Sequence, residues 1–321
     1  MTQTSEVPTL VSPRRPPAHV YASAPAGPAL QALLVALVVI PLAGVIAAGE
    51  LAWRTGIGAV EVGTLVAMYA LTTAAVTVGF HRHLAHRAFR TTFATRMILA
   101  IAGSMAAQGP VIYWTANHRR HHLHADRPGD PHSPHVNGER PCGRLRGLIH
   151  AHVGWLFAHD LTDCARYVPD LLRDAALVRI NRLYLVWVAL GLALPALAAG
   201  LLTGTARGAL TGFLWGGLVR IFVLQHATFS INSICHVFGR RSFPTHDHST
   251  NNVWLALISF GEAWHNNHHA APRSARFGLR WWQVDVGAVL IRGLELLGLA
   301  WNVRRAIPRL GPIAGHAEPT R

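Results

Sequence analysis

The chain contains no lysine; all 29 of its basic residues are arginine. A preference that complete marks coding bias rather than chemistry. Acidic residues are also few, 15 in 321, and charged residues make up only 14% of the sequence against 51% hydrophobic. Soluble proteins carry roughly 25% charged residues, so the balance points to a membrane. Cysteine is scarce: Cys142, Cys164 and Cys235 are scattered with no C-x-x-C pair, which excludes a disulfide framework and a zinc ribbon. No recognition helix or aromatic interleaving accompanies the arginines, so nucleic acid is not an expected partner. The net charge of +14 instead fits arginine held on one side of a bilayer.

Four apolar stretches approach the roughly 20 residues a bilayer requires: 29–48, 56–80, 183–204 and 208–228. Short connectors join the first pair and the last pair, which predicts two helical hairpins. A fifth run, Met97 to Trp114, is broken by "QGP" and reads as a buried or interfacial helix. Arg54 and Arg207 mark the connectors and Arg220 lies within a span. The other twenty-six arginines place both termini and the 81–182 segment in the cytoplasm, in a bacterial inner membrane. Arg220 is expected to pair with Glu61 or to reach the cytoplasmic side. Residues 1–28 read as a disordered tail and 309–321 as a loose one, on either side of one domain at 29–308. Within that domain, 81–182 and 229–308 form a cytoplasmic cap. The expected fold is an all-α integral membrane protein.

The 21 histidines are the outlier. "HNNHH" places His265, His268 and His269 at i, i+3 and i+4, a spacing that shares one helix face and predicts three rings aimed at a common point. "HRRHH" repeats it with His118, His121 and His122, "HRHLAH" supplies His81 and His86, and "NSICH" supplies Asn232 and His236. Neutral imidazoles gathered in this way make a metal site. His83 and His124 break the shared spacing and are left out, while His19, His159 and His316 read as solvated or structural. "EAWH" is the sole Glu-x-x-His copy, too few for a carboxylate-bridged di-iron bundle. No H-E-x-x-H occurs either. The ligands must be nearly all imidazole. A non-catalytic metal-binding membrane protein is the alternative of another class, although loose polyhistidine tracts are missing.

These three histidine boxes, in order and between matching spans, resemble those of the membrane-bound fatty acid desaturases. "DPHSP", "HVGWLF", "NSICH" and "GEAWHNNHH" bring the resemblance nearest to stearoyl-CoA (Δ9) desaturase-like proteins of the bacterial branch, over roughly residues 60 to 305. It implies a di-iron site with two Fe2+ ions and ligands His81, His86, His118, His121, His122, His236, His265, His268 and His269, with Asn232 acting through a water. It implies an O2-dependent desaturase that makes a cis double bond, Δ9 on acyl-CoA. A lipid-linked acyl desaturase or a fatty acyl hydroxylase is the alternative within the same superfamily. Trp114 and Thr228 would enclose a bend in the acyl tunnel, with Gln108 bonded to Thr228, and Leu65 and Tyr69 would plug its end. "TAN" stands before the second box where the animal enzymes have an Arg-Asp pair that helps bind coenzyme A, and Phe229 stands where they have tryptophan. Without a fused cytochrome b5 domain, electrons are expected from a separate protein of ferredoxin or flavin/iron-sulfur reductase type.

Overall fold

The computed structural model describes residues 26–158 and 161–306. The two expected tails fall almost wholly outside that range, as do His19, His159 and His316. Among the described residues, four helices are long and apolar enough to cross a membrane: Pro28–Thr55, Ala59–Ala85, Tyr184–Thr203 and Ala206–His236. The first and fourth run longer than hydropathy implies. The fourth continues past Thr228 because no helix breaker intervenes, and so carries Asn232 and His236 on the same rod.

Local chemistry sets the ends. Pro28 begins the first span, where its fixed φ suits a first helical turn. Gly58 N–H donates to Glu61 Oε2 at 3.0 Å, closing the start of the second. Gly204 ends the third in the left-handed region at φ 66°, and Thr205 Oγ1 accepts from Gly208 N–H at 2.9 Å to begin the fourth. The third and fourth spans pack backbone to backbone. A Cβ at Gly212 or Gly216 would overlap Pro195. The two hairpin connectors lie together, since Thr55, Gly58, Thr205 and Arg207 line one surface cleft.

The fifth apolar run does not span. It forms Phe93–Ser104, breaks, and resumes as Val111–His124. The break frees backbone carbonyls at membrane depth, where each must find a donor. Arg220 supplies one. Fully buried, it donates to Met105 O at 2.7 Å, Gly191 O at 2.9 Å and Gly216 O at 3.2 Å. Gln225 Nε2 supplies another, to Ala107 O at 3.0 Å. The expectation that Arg220 pairs with Glu61 is thereby corrected. The Met105 carbonyl at the break, with those of Gly191 and Gly216 in the neighbouring spans, claims the guanidinium, and Glu61 is engaged at its own helix start.

The remainder of the described residues is mostly helical, with two short two-stranded antiparallel sheets and isolated bridges at Asn251. Arg90–Thr91 pairs with Ala300–Trp301, tying the segment after the first box to the end of the described chain. Val136–Asn137 pairs with Arg140–Pro141.

Candidate metal centre

Each box is presented by a helix, but not as three rings aimed at one point. The nine histidines form two adjacent sets: His81, His86, His118, His122 and His268, and His121, His236, His265 and His269. In "HRRHH" the i and i+4 rings join the first set and the i+3 ring joins the second. In "HNNHH" the assignment is reversed, with His268 crossing into the first set. An α-helix places i+3 and i+4 about 100° apart, enough for two centres side by side to draw on one box. The expectation of a single convergence point is corrected accordingly.

The first box has a different device. Ala75–Ala85 is a π-helix, and His86 N–H donates to His81 O at 3.1 Å. In an α-helix a five-residue step would turn the two rings about 140° apart. The wider i→i+5 turn brings them together instead, edge to face with ring centroids 4.8 Å apart. That is the physical reason for four residues between these histidines.

The donor atoms converge. Nε2–Nε2 separations are 2.7 Å for His86–His118, 3.1 Å for His81–His268, 2.8 Å for His122–His268 and 3.0 Å for His236–His265. Carboxylates hold the far side of four rings. His121 Nδ1–H donates to Asp130 at 3.0 Å, His236 Nδ1–H to Asp126 at 2.8 Å and His269 Nδ1–H to Asp247 at 2.8 Å, while His81 Nδ1–H donates to Glu262. A carboxylate only accepts, so these four rings carry their proton on Nδ1 and turn a bare Nε2 lone pair inward. His121 Nε2 and His269 Nε2 are buried with no partner in the protein. Burial, reinforced by neighbouring histidines, holds His86, His118, His122, His265 and His268 well below the ordinary imidazole pKa. Burial also outweighs the Asp247 contact to bring His269 to about 4. For Asp126 and Asp130 burial acts upward, but His236 and His121 overcome it and keep both carboxyls far below the usual range. Neutral rings, anionic supports and orphaned inward lone pairs are what a bound cation needs. The residues could hold a metal.

The sequence reading missed these four carboxylates. Asp126 and Asp130 lie in the turn after the second box and Asp247 in the loop before the third. Glu262 was set aside as an incomplete bridging motif, yet it backs His81 and also meets Arg82 at 3.3 Å. Their faint signal was acid placed next to histidine in a chain with few acids. His83, left out, bonds Phe89 O at 3.1 Å, and His124 bonds the Tyr167 hydroxyl at 3.2 Å; neither belongs to a set.

Two cavities meet at the centre. An outer one of about 430 Å³ runs from Leu30, Leu34 and Leu37 of the first span to Trp114, His118 and Thr228. An inner one of about 60 Å³ is bordered by His81, His118, His121 and His265 on one side and by Thr73, Val76 and Leu224 on another. Trp114, His118, Thr228 and Asn232 line both. Gln108 Nε2 donates to Thr228 Oγ1 at 2.8 Å, and the Trp114 ring stacks on His118 at 5.2 Å. Tyr69 and Leu65 border neither cavity. Tyr69 stands one turn behind Thr73, its hydroxyl donating to Ile258 O at 2.6 Å. Leu65 packs with Ala48, Leu214 and Leu218 between spans.

A bundle of four membrane-length helices topped by two all-imidazole sets beside an apolar cavity defines a membrane histidine-box metalloprotein. The family model described as "Fatty acid desaturase" matches residues 59–294, and the chain belongs to that family. It is 51% identical over 268 residues, 83% of this chain and 84% of the relative, to the "Hex-5-enoyl-[acyl-carrier protein] acetylenase" of Moorena producens (strain JHB). It is 37% identical over 249 residues, 76% and 84% of the two chains, to the "sn-1 stearoyl-lipid 9-desaturase" of Anabaena variabilis. With the "Icosanoyl-CoA 5-desaturase" of Limnanthes douglasii it shares 38% over 234 residues, 71% and 60% of the two chains. Members of this family are membrane oxidoreductases of lipid metabolism.

Proposed function

We propose that this chain is an O2-dependent fatty acyl desaturase that forms a cis double bond in a saturated acyl chain. Its nine histidines would hold two Fe2+ ions, with Asn232 reaching one through a water. The observation that carries the reading is the meeting of two converging imidazole sets with an apolar cavity at Trp114 and Thr228. The irons, when bound, supply dioxygen activation. Two hydrogens from adjacent methylenes, two protons and two electrons reduce one O2 to two waters, and a separate donor protein provides the electrons. The chain's own residues do the positioning. Trp114 and Thr228 flank the passage between cavities, Gln108 fixes the Thr228 hydroxyl, and the apolar walls exclude water. A methylene has no polar handle, so selection rests on where the chain is held. Thr73, Val76 and Leu224 wall the far end, Tyr69 packs behind that wall rather than plugging the cavity itself, and Leu65 secures the span that carries it.

The carrier is the finer question. Coenzyme A and a ninth-carbon double bond are what the sequence resemblance implies. The outer cavity's lining, however, contains one arginine. Arg120 is buried there, donating from Nε to Gly129 O at 2.7 Å and from Nη1 to Thr162 Oγ1 at 2.9 Å. That lining offers little to coenzyme A phosphates. The 51% identity to a protein named for an acyl-carrier-protein substrate favours a carrier protein, and favours, as a second reading, further oxidation of an alkene to an alkyne. The active centre and both termini face the cytoplasm of a bacterial inner membrane, with residues 29–308 as the working domain. Both hairpin connectors share the end of the bundle away from the histidines.

Mass spectrometry of lipids from a desaturase-deficient host expressing this chain tests the reading. A new cis-unsaturated product that requires oxygen is expected, and unchanged lipids with iron bound would overturn it. Supplying the acyl group on carrier protein, coenzyme A or glycerolipid separates the carriers. A reporter after Arg321 should behave as cytoplasmic and one near Arg207 as external. His81 and His265 on opposite faces would rule out a shared centre.

A further inference from the structure

A chain that passes Trp114 and Thr228 has little room beyond them. The inner cavity measures about 60 Å³, against about 430 Å³ outside. One water-sized group needs about 10–15 Å³ of such space, and a methylene is of similar size, so the inner cavity takes on the order of four carbons. An eighteen-carbon chain opened at its ninth carbon would have to place roughly twice that number there.

The walls are packed tightly. Val76, Leu224 and Ala106 are buried together with the Tyr69 ring against them. The Tyr69 ring also meets Phe260 edge-on at 6.4 Å, and its bond to Ile258 O ties the 258–260 turn to the second span. Lengthening the cavity would mean breaking that bond and moving buried side chains into neighbours at crystal-like density.

Resting on the desaturase reading above, we propose that this enzyme acts on acyl chains with about four carbons beyond the reacting pair, so that it serves short- to medium-chain acyl groups rather than stearoyl-length ones. Oxidation at the ninth carbon would then require a chain of about fourteen carbons, and oxidation nearer the carboxyl end a shorter one. The outer cavity is several times larger and takes the carboxyl side of the chain and its carrier arm.

The test supplies the full-length, iron-loaded protein, with O2 and a reducing partner, with saturated acyl-carrier-protein thioesters of graded even length from six to eighteen carbons. Double-bond position is mapped by mass spectrometry. Products should carry about four carbons past the double bond, and eighteen-carbon chains should be converted at least about tenfold more slowly than the best substrate, as a poorly fitting methylene already costs about tenfold or more. Leu224→Ala removes three side-chain carbons from the wall and should lengthen the accepted tail by about three carbons, whereas Ala227→Leu, at a second residue lining the inner cavity, should shorten it. The filling variant keeps the test decisive if the enlarged one misfolds. Eighteen-carbon product with nine carbons beyond the ninth, formed at the best rate, would overturn the cavity limit and leave the desaturase reading standing. No product at any length from iron-replete protein would overturn that reading, and this proposal with it.

Discussion

The two histidine sets draw on the same two H-x2-H-H boxes but differ in what stands behind them. In the four-histidine set, three rings are backed by aspartates: His121 by Asp130, His236 by Asp126 and His269 by Asp247. In the five-histidine set, among the described residues, only His81 has a carboxylate, Glu262, and Arg82 shares it. Arg82 is fully buried and also pairs with Asp285 at 2.8 Å. One half of the centre therefore combines fewer rings with two buried aspartates and a half-buried third, and the other more rings with one partly neutralised anion. A carboxylate behind an imidazole fixes its tautomer and raises its basicity. The comparison teaches that ring count alone does not rank metal sites. The four-histidine half should hold its metal more firmly.

The strongest way to break this comparison is to remove a ring from each half. His268→Ala and His236→Ala should both abolish desaturation in the lipid assay, because the proposed chemistry would draw on both metals. Iron analysis should distinguish them, with His268→Ala keeping about half the iron and His236→Ala losing iron from the firmer half. Membrane insertion should persist in both. Full iron together with full desaturation in His268→Ala would sink the ligand assignment.

A smaller effect comes from the supports. Asp126→Asn should weaken metal retention by about 10- to 100-fold, whereas Glu262→Gln should fall at the lower end of that range because Arg82 already draws on its carboxylate. Competition against a chelator reads both. Equal losses would erase the difference between the halves.

Acidification comes next. Burial holds His86, His118, His122, His265 and His268 well below the ordinary imidazole pKa in the folded state, and His269 near 4, while an unfolded chain takes up protons around pH 6.5. A lowered imidazole pKa means the unfolded state binds more protons as pH falls, so stability is lost between about pH 6.5 and 4. The depressed carboxyls of Asp126 and Asp130 contribute above their unfolded pKa of about 4, and that share is lost on further acidification. Thermal unfolding of detergent-solubilised protein across this range should show a falling midpoint. A flat profile would mean the rings are not buried as neutral bases.

The smallest change is Tyr69→Phe, which removes only the bond to Ile258 O. It should cost about 1 kcal/mol and leave both metal contents untouched. Loss of iron from either set in that variant would tie the cavity floor to the centre and blur the division between halves.

Much was legible in the sequence where the signal is local. Hydropathy located four spans to within a turn at most of their ends, and the "QGP" break correctly kept the fifth run from being counted as another. Glu262 shows where local reading stops. Judged as a bridging ligand it lacks companions, yet in three dimensions it lies behind His81 from 181 positions away. His268 shows the same limit, because no spacing rule tells which of three rings on a short helix turns toward a neighbouring set.

The sequence by itself determined the membrane bundle and the imidazole inventory. Apolar run length and the ordered boxes are properties of neighbouring residues, and the bilayer allows few alternatives to a helix for such runs. Only the tertiary structure decided how the nine rings divide, which carboxylates back them and how deep the acyl cavity runs. Those outcomes depend on contacts such as His236 with Asp126, 110 residues apart, and on a π-helix that brings His81 over His86. Distant segments must pack before such contacts exist, and their packing sets the lone-pair directions and the remaining space.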